Sequence, residues 1–103
     1  MTSERIGTHL PHGLQHYNST PVFTSETIPG SLLTSHAIKP GVWGLLRVKR
    51  GRLLFCLDTD VAGKVVVEHG GSVVIDPGVL HHVEVLEADT AFHIEFHRAA
   101  GAT

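Results

Sequence analysis

Turn signals fall along this chain at short, regular intervals: Pro29-Gly30, Pro40-Gly41, Arg50-Gly51, Asp58 to Gly63, Gly70-Gly71, Asp76-Pro77-Gly78 and Glu87 to Asp89. Each breaks or reverses the backbone, so only short extended segments fit between them. Those segments are rich in Val, Ile, Leu and Phe, and several alternate with period two, the repeat of a strand with one dry and one wet face. In VWGLLRVKRGRLLFCL, Leu46 and Val48 share a face opposite Arg47 and Lys49, and beyond the Arg50-Gly51 turn Leu53 and Phe55 resume the apolar face. This pattern predicts a hairpin. Val65 to Val67, Ser72 to Ile75, His81 to Leu86 and Ala91 to His97 supply four further strands, with Pro21 to Phe23 and Ser31 to Ile38 as shorter candidates. No segment carries the i, i+3, i+4 pattern of a long helix. Seven or eight short, evenly spaced strands favour an all-β fold, a small closed antiparallel barrel or two-sheet sandwich, because closure removes exposed strand edges.

A chain of 103 residues encloses one core and not two. Its 42% hydrophobic and 17% charged residues supply enough apolar surface to offset the entropy of ordering. We expect residues 1–16 to form a flexible N-terminal segment, 17–98 the barrel and 99–103 a short tail. The first twenty residues are expected outside the barrel or paired with a neighbouring chain, which makes a homodimer the expected assembly. Eight Lys and Arg against ten Asp and Glu give a formal charge of −2 with no basic stripe, which argues against nucleic acid as a partner. The N-terminal residues lack the apolar core of a signal peptide, and no apolar run approaches the ~20 residues of a membrane span. The single Cys56 excludes an internal disulfide. A cytoplasmic protein without membrane contact is the expectation.

Nine His are the unusual chemistry of this chain. His9, His12 and His16 would share a helix face, but Pro11 and Gly13 argue against that helix, so these read as solvated side chains. His36 ends the apolar stretch SLLTSH and could point into a barrel cavity. In the pair His81-His82, alternation sends His81 inward with Val83 and Val85 and His82 outward with Glu84. In AFHIEFHR, Phe92, Ile94 and Phe96 share one face and His93, Glu95 and His97 the other. That polar face either turns to water or, if it lines a cavity, offers nitrogen and carboxylate ligands to a metal. Cys56, between Phe55 and Leu57, reads as a buried apolar side chain.

The run SHAIKPGVWGLLRVKRGRL, followed by VIDPGVLHHVEVLEADTAFHIEF, resembles the small cupin family related to the TehB N-terminal domain and to YeaR, the tellurite-resistance-related proteins. The family pattern is carried by His36, Gly41, Trp43, Gly44, Leu46, Val48, Gly51, Leu53, Asp76-Pro77, His81, Val83-Glu84 and Phe92 to Phe96, and spans about Tyr17 to Arg98. The resemblance implies a double-stranded β-helix with a metal near its mouth. It further implies a divalent metal cofactor (Zn, Fe or Ni) on His36 and His81, completed by Glu95 or His93. Trp43 and Arg47 at the mouth would then orient a small-molecule or oxyanion ligand. The sequence departs from the common cupin pattern in Ile38 to Gly44, which holds none of the usual His-x-His and Glu, and Leu80 stands where relatives often have an aromatic residue. With no Gly-rich cofactor loop, methyl transfer is not expected. Two functions stand from this reading: a metal-binding stress-response module that captures a small molecule or oxyanion, and a metal-dependent oxygenase or isomerase of the non-haem iron type built on two His and a carboxylate.

Overall fold

The computed structural model describes residues 7–59 and 63–100. Within them lie eight strands: β1 (Leu14–Ser19), β2 (Phe23–Thr24), β3 (Val42–Arg50), β4 (Arg52–Leu57), β5 (Lys64–Glu68), β6 (Ser72–Ile75), β7 (His81–Val85) and β8 (Ala91–Ala99). Apart from the strands, the only regular element among the described residues is a single 3-10 turn at Gly30–Leu32. The strands form two antiparallel sheets, one in the order β1-β8-β3-β6 with β2 also on β8, the other in the order β5-β4-β7. The all-β class is as the turn spacing predicts. Among the described residues, hydrogen bonding does not run continuously around a barrel; the two sheets face each other across the core.

The period-two pattern decides what that core is. Leu46 and Val48 of β3 lie opposite Ile94 and Phe92 of β8. With Val73 and Ile75 of β6 they meet Leu53 and Phe55 of β4, Val67 of β5 and Val83 of β7 in one buried cluster. Burying side chains of this size contributes about 1.5–3 kcal/mol each. Val74 is buried too, but on the opposite face from Val73 and Ile75, and at the edge of β6 its N–H donates to the carbonyl of Gly7. Phe96 is half-buried and packs against the cluster from its rim.

The chain turns from β3 into β4 at Gly51, whose φ of +72° suits glycine, and a Cβ there would lie 2.5 Å from the Thr90 hydroxyl and 2.7 Å from Thr90 Cα. Thr90 is buried. Its hydroxyl accepts the Arg52 N–H at 3.2 Å and shares its proton between the carbonyls of Glu87 (2.7 Å) and Arg52 (2.9 Å). One glycine and one threonine thereby lock the turn that joins the two sheets.

The expected hairpin does not form: β3 pairs with β6 and β8 and β4 with β5 and β7, so the Gly51 turn passes the chain from one sheet to the other. Ser31 to Ile38 is not a strand: Pro29 precedes a 3-10 turn, with Leu32 N–H donating to Pro29 O and Leu33 N–H to Gly30 O, and only His36 makes a β-bridge. The first twenty residues do not all lie outside the body. Leu14–Ser19 pair with β8 of the same chain, because the nine-residue β8 has a free edge that would otherwise leave its backbone groups unpaired. The far end of β8 reaches Ala99, and Ala100 N–H donates to Gly13 O.

Candidate functional site

His36 and His81 are brought together by the backbone before their side chains do anything. They form an isolated antiparallel bridge, His81 N–H donating to His36 O at 2.8 Å and His36 N–H to His81 O at 3.0 Å. The turn after β6 is tied to the same segment, Gly78 N–H donating to Ile38 O at 2.8 Å. Directly opposite residues put their side chains on one face, and the two imidazole centroids are 4.2 Å apart.

Each ring is anchored in the same way. His36 Nδ1 lies 2.9 Å from Thr34 O and His81 Nδ1 lies 2.9 Å from Val79 O. A carbonyl oxygen can only accept, so this network assigns the proton of each neutral ring to Nδ1 and leaves the Nε2 lone pair unprotonated. His81 is 1% exposed, with the Phe55 ring 5.5 Å away. Burial pushes its pKa below the ordinary histidine value, more strongly than the Val79 carbonyl raises it, and His36 nearby lowers it further. His81 is therefore neutral at neutral pH.

Both rings line a cavity of about 350 Å3 whose other lining residues include the apolar Ile38, Ile75, Ile94 and Phe96 and the polar Tyr17, Asn18 and Lys39. A Cβ on Gly44 would stand 2.9 Å from Ile38 Cδ1 and 3.3 Å from Ile75, so the glycine is what lets Ile38 fold into that lining. Sequence reasoning missed Tyr17, Asn18 and Lys39. The first two belong to β1, and a bulge between His16 and Asn18 offsets their register on β8.

The other expected site residues lie elsewhere. Ile94 and Phe96 face the cavity, so alternation sends His93, Glu95 and His97 to the outer face of the sheet. Trp43 lies there opposite His97, and Arg47 opposite His93. Arg47 Nε donates to Glu95 Oε2 at 2.9 Å, while His93 Nε2 and His97 Nε2 lie 3.3 and 3.5 Å from the same carboxylate. Burial raises the Glu95 carboxyl, but hydrogen bonds from His93 and Arg47 and the guanidinium charge outweigh it, so it titrates below its usual range. Glu95 and His93 consequently do not share the His36–His81 cavity, and Trp43 and Arg47 do not stand at its mouth. Among the described residues, no carboxylate lines that cavity. On the outer face, His97 Nε2 is buried without a hydrogen-bond partner among the described residues. Of the N-terminal histidines, His9 and His12 are exposed, and His16 bonds to Ser19 Oγ at 2.7 Å.

His82 faces away from the core, as alternation predicts, but it is not simply solvated. Its Nδ1 lies 2.6 Å from Asp58 Oδ1 and its Nε2 3.0 Å from Glu84 Oε2.

Known proteins share this fold. The chain is 28% identical over 95 residues to YeaR of Escherichia coli K12, covering 84% of this chain and 80% of that one. It is 31% identical over 86 residues to TehB of Haemophilus influenzae, named a probable S-adenosyl-L-methionine-dependent methyltransferase, covering 79% of this chain but 30% of TehB. Among solved structures, an Escherichia coli K12 protein superposes with a TM-score of 0.83 at 26% identity, covering 92% of this chain and 91% of that one. The crystal structure of Haemophilus influenzae TehB gives a TM-score of 0.73 at 28% identity, covering 85% of this chain and 32% of that one. The TehB-like domain model matches residues 18–94, which run from β1 into β8 and include both cavity histidines, and the chain therefore belongs to the TehB-like domain family.

Proposed function

We propose that this protein is a cupin-type binding module in which His36 and His81 hold a divalent metal ion through Nε2 and the adjoining cavity takes a small molecule or oxyanion that completes the coordination. The observation that carries this reading is the pair of Nδ1-anchored rings on one cavity wall. Metal-binding histidines commonly donate their second ring nitrogen to a carbonyl or carboxylate, which fixes the tautomer and the ring direction. Imidazole donors suit Zn, Ni or Fe over Mg or Ca. Two protein ligands leave positions for water or for the oxygens of an oxyanion, and Lys39 on the cavity wall adds a positive charge favourable to an anion.

The oxygenase reading called for two His and a carboxylate, and Glu95 on the other face of β8 cannot serve with His36 and His81. The binding reading is the better supported. Zinc titration by calorimetry tests it: His36→Ala and His81→Ala should each remove one class of site, while His93→Ala and Glu95→Gln should retain it. Tellurite or selenite should tighten zinc binding in the wild type and not in His81→Ala. Zinc stoichiometry and affinity unchanged in both cavity variants would overturn the proposal.

A further inference from the structure

We propose a second metal site, independent of the cavity, on the outer face of the β5-β4-β7 sheet: Cys56, His82 and Glu84 as ligands for a zinc-type ion, with Asp58 positioning His82. The register creates it. Cys56 of β4 lies directly opposite His82 of β7, and Glu84 lies two residues further on the same face. One ligand atom from each residue lies within 4.8 Å of the other two. The Cys56 thiol is 3.8 Å from Glu84 Oε2, and His82 Nε2 is 3.0 Å from the same oxygen. In a tetrahedral zinc site with bonds of about 2.0–2.3 Å, ligand atoms stand on the order of 3.3–3.8 Å apart, so small side-chain rotations suffice.

Asp58 gives the cluster the character of a metal site. Carboxylate oxygens can only accept, so the 2.6 Å contact places a proton on His82 Nδ1 and the 3.0 Å contact to Glu84 a second on Nε2, which is thereby aimed at Glu84 and Cys56. This is the carboxylate–histidine arrangement that orients metal-binding imidazoles. A thiolate and a carboxylate neutralise a divalent ion, and with one nitrogen the set is soft enough to prefer Zn or Co over Mg or Ca. Lys64, opposite Cys56 on β5, is exposed, and the two carboxylates of Glu84 and Asp58 outweigh its charge. Without metal, burial and the Glu84 carboxylate raise the thiol pKa, so metal uptake must release to solvent both the thiol proton and the His82 Nε2 proton that Glu84 accepts.

Cobalt(II) titration of the whole protein tests the site, because only a sulfur ligand gives a thiolate-to-cobalt charge-transfer band in the near ultraviolet. The cavity histidines offer no sulfur, so failure here and failure of the cavity reading are separable. We expect one equivalent of Co(II) to produce the band, Zn(II) to bleach it, and the His36→Ala/His81→Ala double variant to keep it. Cys56→Ser and His82→Ala, both checked for wild-type circular dichroism, should lose it. Asp58→Asn should weaken binding about 10–100-fold while leaving the band in place, as expected of a residue that acts through its histidine. No band in the wild type at saturating Co(II), or a band that survives both His82→Ala and Glu84→Gln, would overturn the assignment.

Discussion

Gly51→Ala tests how the two sheets are joined, with Gly70→Ala as its internal control. Both glycines have positive φ, +72° and +81°, but a Cβ on Gly70 meets nothing within 4 Å. The cost at Gly70 is therefore that of an L residue in the left-handed region, about 1 kcal/mol. At Gly51 the same backbone term applies, and the new methyl stands 2.5 Å from Thr90 Oγ1, 2.7 Å from Thr90 Cα and 3.0 Å from Thr90 N. The hydroxyl could rotate away only by abandoning the Arg52 N–H and the carbonyls it bridges, at about 1 kcal/mol per bond. The backbone atoms cannot rotate away at all, and relieving such overpacking costs about 1–3 kcal/mol more. Gly51→Ala should thus lose about 3–5 kcal/mol in equilibrium urea unfolding. With a slope of about 1–2 kcal/mol per M for a domain of this size, the midpoint should fall by about 1.5–5 M, roughly three to five times the shift of about 0.5–1 M for Gly70→Ala. Equal midpoint shifts in the two variants would refute the close approach of Gly51 to Thr90.

Two further outcomes follow from burial and charge. Phe92→Ala, at a fully buried position, should cost about 3–5 kcal/mol, and Phe96→Ala, at the rim of the cavity, clearly less; urea midpoints compare them. Glu95 faces Arg47 across β3 and His93 and His97 along β8, with the His16 ring of β1 5.3 Å from His97. Its carboxyl titrates below the unfolded value, so its stabilisation is present above about pH 4.5 and is lost as pH falls through the folded value. Glu95→Gln should be about 1 kcal/mol less stable than wild type at pH 7, the gap closing below about pH 4 in chemical denaturation at each pH.

Legibility in the sequence followed strand parity. The alternation His81-Val83-Val85 against His82-Glu84 fixes which ring goes inward, and the structure agrees. The alternation in β8 separates Phe92, Ile94 and Phe96 from His93, Glu95 and His97 without saying which set faces the core. A polar set could line a cavity as well as meet water, and only packing against β3 decides it. Ser31 to Ile38 looks like a strand because it is apolar, yet Pro29 and Gly30 begin a tight turn that leaves one bridge residue. Leu14–Ser19 shows no alternation at all. It becomes a strand because a long neighbour offers a free edge, a tertiary cause with no local signal. The Asp58–His82–Cys56 cluster was hidden for a related reason: it depends on the register of β4 against β7, which no residue spacing announces.

Metal binding in the cavity requires that His36 and His81 present unprotonated Nε2 atoms to it. Nitrogen-15 NMR of the imidazoles measures their protonation directly, by long-range correlation of ring nitrogens with ring protons, before and after addition of zinc. Both rings should be Nδ1–H tautomers in the free protein, and zinc should shift both Nε2 resonances while the Nδ1–H signals persist. Nε2–H tautomers in the free protein, or zinc shifts confined to other histidines, would contradict metal binding there.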